Sequence, residues 1–304
     1  MTEVHGKARS ALVFCALLRL PTYALCTGRK ELTMAKMQEL EVKQYEDLDF
    51  TDNFMFCKIL QNNPNLCKEL TELILDRKIG NIISLNKQMP IEITSDGRGV
   101  RFDVYLEDDA STVYDIEMQT YREADLPKRA RYYQAMIDLN MSERGIKYKD
   151  LKCSYVIFIC LKNPFGQVGR HKYTIRSACV EEPSLEFGDE AYRIILSAEG
   201  DQDDVSEEMK QFLYYLTTRK AESDLTRKLE EEVIRSRNHK EWRMEYMTLL
   251  ERDERNIEKG IGIGEEMFVR LIQVLTEKGL QSEIDAVLKD KGYREVLYKK
   301  YGIK

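Results

Sequence analysis

"GRGVRFDVYLEDDASTVYDIEMQ", residues Gly97–Gln119, is the stretch on which the reading of this chain turns. Two runs rich in β-branched and aromatic residues, VRFDVYL and VYDIEMQ, flank a polar turn, which is the pattern of a β-hairpin. Side chains alternate faces along a strand. Val100, Phe102, Val104 and Leu106 are therefore expected on one face, and Arg101, Asp103 and Tyr105 on the other. In the second run Tyr114, Ile116 and Met118 share a face, and Val113, Asp115, Glu117 and Gln119 share its opposite. A turn centred on Ala110 sets Asp103 directly across from Glu117, with β-carbons about 4.5–5.5 Å apart. Two carboxylates that close repel one another and destabilise the hairpin. A divalent cation shared by Asp103 and Glu117 removes that repulsion, and Gln119 lies within reach of the same ion or of its substrate. The competing reading is a solvated strand face with incidental charge.

The rest of the chain narrows the chemistry. With 304 residues it holds one large domain or a domain with an appendage. Apolar residues make up 43% and charged residues 33%, as in a globular protein with many exposed helices. The formal net charge is −6, so any contact with nucleic acid must come from a local basic face. The seven cysteines show no C-x-x-C spacing and several lie in apolar runs, which reads as reduced core thiols in a cytoplasmic protein. Only His5, His171 and His239 are present, far apart, so a histidine-built zinc site or a histidine base is disfavoured. A metal here needs oxygen ligands, which means Mg²⁺, Mn²⁺ or Ca²⁺.

Residues 1–33 contain SALVFCALLRLPTYALC, which resembles a signal segment but is interrupted by Arg19 and Pro21. The segment is read as a disordered or artefactual extension, with Met34 or Met37 as the start. No later run approaches the ~20 apolar residues of a membrane span. Two helices are expected next, FTDNFMFCKIL, capped by Thr51 or Asp52, and LCKELTELILD. KQMPIEI is a candidate first strand, the hairpin follows, and PKRARYYQAMIDLNMS reads as a helix. That helix carries Tyr133, Met136, Ile137 and Met141 on one face and Lys128, Arg131 and Ala135 on another. SYVIFICL is an apolar run of the kind found in a strand covered on both faces. KYTIRSAC and AYRIILSA are two further strands. The order up to residue 161 is thus helix, three strands, helix, strand. From Asp203 the chain turns to long charged helical patterns, so an α/β domain over 34–203 and a helical region over 204–304 are expected. GIGIGEE at 260–266 lacks the preceding strand and following Lys of a phosphate loop and reads as a helix break.

The spacing R-F-D-V-x(12)-E-M-Q within this element order resembles the PD-(D/E)XK nuclease superfamily. More closely, DNFMF, VRFDVYLEDD, YDIEMQ, LPKRARYYQAMID and SYVIFI resemble the Rpn family of recombination-promoting nucleases and transposases of bacteria. The likeness runs from about residue 45 to 200 and continues more weakly beyond. It implies an α/β, restriction-endonuclease-like core of αβββαβ order with a mixed central sheet and a helical C-terminal region. It also implies a metal-dependent DNA endonuclease acting in recombination or transposition, with Mg²⁺, or Mn²⁺ in its place. By the resemblance Asp103 and Glu117 are metal-binding and catalytic, and Asp52 is a further acidic ligand. Gln119 stands where the superfamily usually has Lys; it can orient the attacking water or ligate metal through its carbonyl.

Between residues 122 and 152 eight basic residues stand against five acidic ones, and Lys128, Arg129, Arg131 and Tyr132 are candidate DNA contacts. Other classes stay in view: a nuclease fold without catalysis that binds DNA or protein through its helical tail, alone or as a homo-oligomer, and a glycosidase with paired carboxylates. The single tryptophan, Trp242, is remote in sequence from the pair and offers no sugar platform.

Overall fold

The computed structural model describes residues 43–87, 90–91, 100–141, 147–166 and 169–303; the extension at 1–33 and the proposed starts Met34 and Met37 lie outside them. Residues Leu48–Lys304 form one compact unit. Helix α1 (Asn53–Asn62) ends at Asn63, and Pro64, which needs no helical N–H donor, opens α2 (Pro64–Leu75). Then come β1 (Ile82–Lys87), a small antiparallel pair β2 (Pro90–Ile91) and β3 (Val100–Arg101), β4 (Val104–Asp108), β5 (Val113–Gln119) and helix α3 (Leu126–Met141). Strands β6 (Ser154–Cys160), β7 (Lys172–Ile175) and β8 (Ala191–Ser197) complete the main sheet, whose order is β1-β4-β5-β6-β8-β7. The β5/β6 and β6/β8 pairings are parallel and the outer ones antiparallel, which is the mixed α/β architecture expected.

The hairpin register is fixed at its turn. Asp108 accepts from the amides of Ala110 and Thr112 and from the Tyr114 hydroxyl, at 2.9–3.1 Å. Tyr105 consequently pairs with Asp115 and Val104 with Ile116, so the pairing centres on Ala110 and brings Asp103 across from Glu117. Strand β6 is buried along its whole length between β5 and β8, as its apolar sequence requires. Helix α3 covers one face of the sheet over Tyr105, Val113, Val156, Phe158 and Ile195. On the other face α1 and α2 pack against β1 and β4.

The C-terminal helices begin with α4 (Glu207–Thr218) and α5 (Asp224–Arg237), each capped by a serine, Ser206 and Ser223. They pack on α1 and α2, so the change in composition at Asp203 marks the start of an all-helical layer on the same compact unit. Helix α6 (Lys240–Glu277) docks its first turns on α1 through Phe54–Tyr246 and Lys58–Glu245 contacts. Its far end packs with α7 (Gln281–Lys289) and α8 (Lys291–Tyr301) around Leu271, Leu275, Val287 and Leu297.

Three expectations are corrected. The main sheet begins with Ile82–Lys87 rather than KQMPIEI, of which Pro90–Ile91 pairs only with β3; Pro90 lacks the N–H that a ladder needs. Helix α6 runs unbroken through Gly260, Gly262 and Gly264, none of which has positive φ. Their cost of about 1 kcal/mol each is spread over a helix otherwise rich in Leu, Glu, Lys and Arg. Finally, strand alternation fails at residues 102–103. Phe102 does not join Val104 and Leu106 but packs in the α3-side core, stacked on Tyr105 with ring centroids 5.5 Å apart.

Candidate active site

The break between β3 and β4 is what shapes the site. With Asp103 outside the strand ladder, its backbone groups need other partners. The Asp103 amide donates to Glu117 Oε1 at 2.9 Å, and its carbonyl accepts from Gln61 Nε2 at 2.9 Å. Its carboxylate is gripped as well: Oδ1 accepts from Asn53 Nδ2 at 2.6 Å and Oδ2 from the Met118 amide at 3.3 Å. Asp103 and Glu117 open together onto a cavity of about 290 Å³. The N-terminal end of α1, the end of β5 and the start of α3 supply its walls, including Asp52, Asn53, Gln119, Tyr121 and Arg129.

Burial dominates the electrostatics. It raises the Asp103 carboxyl above its usual range, against the pull of Asn53, Met118 and Arg129. Burial and then the Asp103 charge push Glu117 well above the usual range. Asp115, two residues before Glu117 on the same face of β5, is fully buried, and neither oxygen has a hydrogen-bond partner among the described residues. Burial, Glu117 and Asp103 together hold its carboxyl well above the normal range. Sequence reasoning placed Asp115 on the carboxylate face but gave it no role; alternation alone does not reveal that α3 seals it from solvent.

The other candidates separate. Asp52 lines the cavity as the N-cap residue of α1, yet its side chain accepts from the Asp49 amide at 2.8 Å and makes no cap bond to the helix. The hydrogen bond from α1 to the Asp103 carboxylate comes instead from Asn53, the next residue, which sequence reasoning passed over. Gln119 donates through Nε2 to the Tyr121 carbonyl at 2.9 Å and accepts through Oε1 from Arg129 Nη2. Arg129 also pairs with Glu123 and lies over the Phe158 ring at 4.8 Å, so it belongs to the cavity. Lys128, Arg131 and Tyr132 are exposed on the outward side of α3 and do not line the cavity.

The profile of the PD-(D/E)XK nuclease family transposases matches residues 46–261, more than two thirds of the chain, and the chain belongs to that family. No curated protein and no solved structure is significantly similar to it. The family carries a nuclease, transposition-associated function, and PD-(D/E)XK nucleases generally use divalent metal ions. Among the described residues no group of three or more His, Cys, Asp or Glu side chains is arranged to hold a metal. The paired carboxylates nonetheless suit a hard cation. Asp103 and Glu117 are oxygen donors at a cavity, with the buried Asp115 carboxyl behind them and the guanidiniums of Arg129 and Arg101 on the same lining. Among the described residues no helix is long and apolar enough to cross a membrane, and the five described cysteines are free thiols.

Proposed function

We propose that this protein is a metal-dependent DNA endonuclease whose active site is the Asp103–Glu117 cavity. The observation that carries the reading is the hydrogen-bonded approach of these two acids, Asp103 at the break before β4 and Glu117 on β5, on the lining of a cavity beside a fixed guanidinium. Asp103 and Glu117 would hold the divalent ion, Mg²⁺ or Mn²⁺; Asp52, the N-cap residue of α1, lines the same cavity but is not arranged with them as a third acidic ligand. When bound, such an ion polarises a phosphoryl oxygen and lowers the pKa of water.

The chain's own part is positioning. Asn53, Gln61 and the Met118 amide hold Asp103 in one orientation, and the Asp103 amide does the same for Glu117. The reaction adds a water oxygen to phosphorus and breaks the bond to a deoxyribose oxygen. The water releases a proton to solvent and the leaving oxygen takes one up. Lys128, Arg131 and Tyr132, on the outward side of the helix that follows the site, would meet the DNA backbone beyond the scissile phosphate. The test is nicking of supercoiled plasmid in Mg²⁺ with and without EDTA. EDTA-sensitive nicking by the wild type supports the reading. Binding of DNA without nicking in Mg²⁺ or Mn²⁺ would leave a nuclease fold that serves as an interaction module.

A further inference from the structure

Gln119 occupies the position of a cation in the motif, yet it has no charge. Its carbonyl is engaged by Arg129 Nη2 and its amide by the Tyr121 carbonyl, so both ends are committed within the protein. It is therefore placed to hold Arg129 rather than a water. The guanidinium is fixed three ways: by Gln119, by Glu123, and by stacking over Phe158 at 4.8 Å, beside Tyr133 at 5.8 Å. Phe158 is the strand partner of Glu117, so this stacking sets the cation directly over the row that carries the acid. The side chain retains 22% exposure, and it lines the same cavity as Asp103 and Glu117. A guanidinium has five N–H donors in a fixed fork and stays charged at any working pH. Glu123 and Gln119 each take one, leaving a second N–H on Nη1 and on Nη2. Anchored by two bonds and lining the cavity, the group keeps N–H donors that suit a tetrahedral oxyanion.

We infer that Arg129 is a catalytic residue that donates to a non-bridging oxygen of the scissile phosphate, and that Gln119 is the positioning residue that aims it. The cation at this site thus comes from α3 rather than β5. Arg129 differs in kind from Lys128 and Arg131, its neighbours in sequence, which face solvent. The fixed donor matters most when negative charge builds on the phosphate oxygens, so its effect belongs to the rate rather than to binding.

This inference rests on the nuclease reading, and one experiment separates the two. Single-turnover plasmid cleavage in Mg²⁺ is measured together with the affinity for a fluorescent duplex in Ca²⁺ and the melting curve. The variants are Arg129→Gln, Gln119→Lys and the double variant Gln119→Lys/Arg129→Gln. Absence of cleavage by the wild type rejects the nuclease reading itself. Given wild-type cleavage, Arg129→Gln is expected to be slower by roughly a hundredfold, as for loss of one oxyanion donor, with duplex affinity nearly unchanged. The double variant returns a cation to the cavity from β5 and is expected to recover about a tenth or more of wild-type rate. Arg129→Gln cleaving like wild type overturns the inference. So does a slow Arg129→Gln that the double variant fails to rescue, since that outcome makes Arg129 a packing residue. Should Arg129→Gln not melt cooperatively, Gln119→Ala reads the same point: it removes the anchor but keeps the guanidinium and Glu123. A lower rate with an unchanged melting curve supports the aiming role, and an unchanged rate overturns it.

Discussion

Asp103 and Glu117 grip one another across the hairpin: the Asp103 amide donates to the Glu117 carboxylate at 2.9 Å, while the Asp103 carboxylate accepts from the amide of Met118, Glu117's neighbour, at 3.3 Å. The two acids that would hold the cation are therefore also the cross-link that replaces the missing ladder bonds at the strand break. The proposed function and the local fold would depend on the same atoms, and mutational effects at this pair must be read on both.

Asp103→Asn illustrates this. An Asn side chain has one acceptor oxygen, whereas Asp103 accepts from both Asn53 and Met118. One donor then faces an NH₂ group, at a cost of about 1–3 kcal/mol, which offsets the relief of repulsion with Glu117. Stability is expected to change little in either direction. Plasmid nicking in Mg²⁺ is expected to drop by roughly two orders of magnitude, the equivalent of about 3 kcal/mol of lost charge stabilisation. Equal nicking by wild type and variant, insensitive to EDTA in both, would remove this cavity from the chemistry.

The outward face of α3 is separable from Arg129. Lys128 and Arg131 are exposed, so their replacement by alanine should leave stability within about 0.5 kcal/mol. If they meet phosphates, the double variant should weaken binding to all duplexes alike. The slope of log K against log salt should fall by up to ~0.9 for each phosphate that is no longer neutralised. Fluorescence anisotropy over a salt series measures this; an unaltered slope assigns both residues to ordinary surface.

The hairpin was legible because its information is local. Alternating apolar residues and one acidic, small-residue turn fix the register at Ala110, and with it the meeting of Asp103 and Glu117. The break at Phe102 was not legible. It is imposed by side chains far away in sequence: Gln61 captures the Asp103 carbonyl, and Tyr133 packs edge-on against Phe102. The same holds for Asn53, whose contact with Asp103 spans fifty residues. Arg129 looked like one of several basic residues on a helix. Only the tertiary course of α3 over Phe158 turns it inward while Lys128 and Arg131 stay outside.

The loop before α1 carries a stability test. Asp49 is 4% exposed and accepts from the Thr51 amide at 2.9 Å, from the Thr51 hydroxyl, and from Arg219 at the end of α4. Asp49→Ala strands the buried Thr51 donors and should cost about 2–4 kcal/mol. Arg219 is 58% exposed, so Arg219→Ala should cost under ~1 kcal/mol. Urea unfolding compares them. Equal losses would mean that the ion pair, not the Thr51 bonds, holds this wall of the cavity.

Asp115 offers the sharpest pH signature. Its carboxyl, like those of Asp103 and Glu117, is raised in the folded protein, chiefly by burial. The folded state therefore binds more protons than the unfolded chain, and stability falls as pH rises. The contribution is fully present below the ordinary carboxylate pKa, near about 4, and is lost progressively above it, at about 1.4 kcal/mol for each unit separating folded and unfolded values. Asp115→Asn removes the charge without changing shape. In EDTA the variant and the wild type should melt alike near pH 4, and the variant should become the more stable as pH rises towards 8. Each kcal/mol corresponds to roughly 2–4 °C for a unit of this size. Saturating Mg²⁺ should raise the wild-type melting temperature most at high pH, because a cation bound at Asp103 and Glu117 substitutes for the protons that the cluster otherwise retains. Calorimetry from pH 4.5 to 8, with and without Mg²⁺, decides the matter. A gap between variant and wild type that stays constant across this range would show that packing around residue 115, not charge, sets its stability, and the acidic cluster would lose its role as the reservoir that a metal ion displaces.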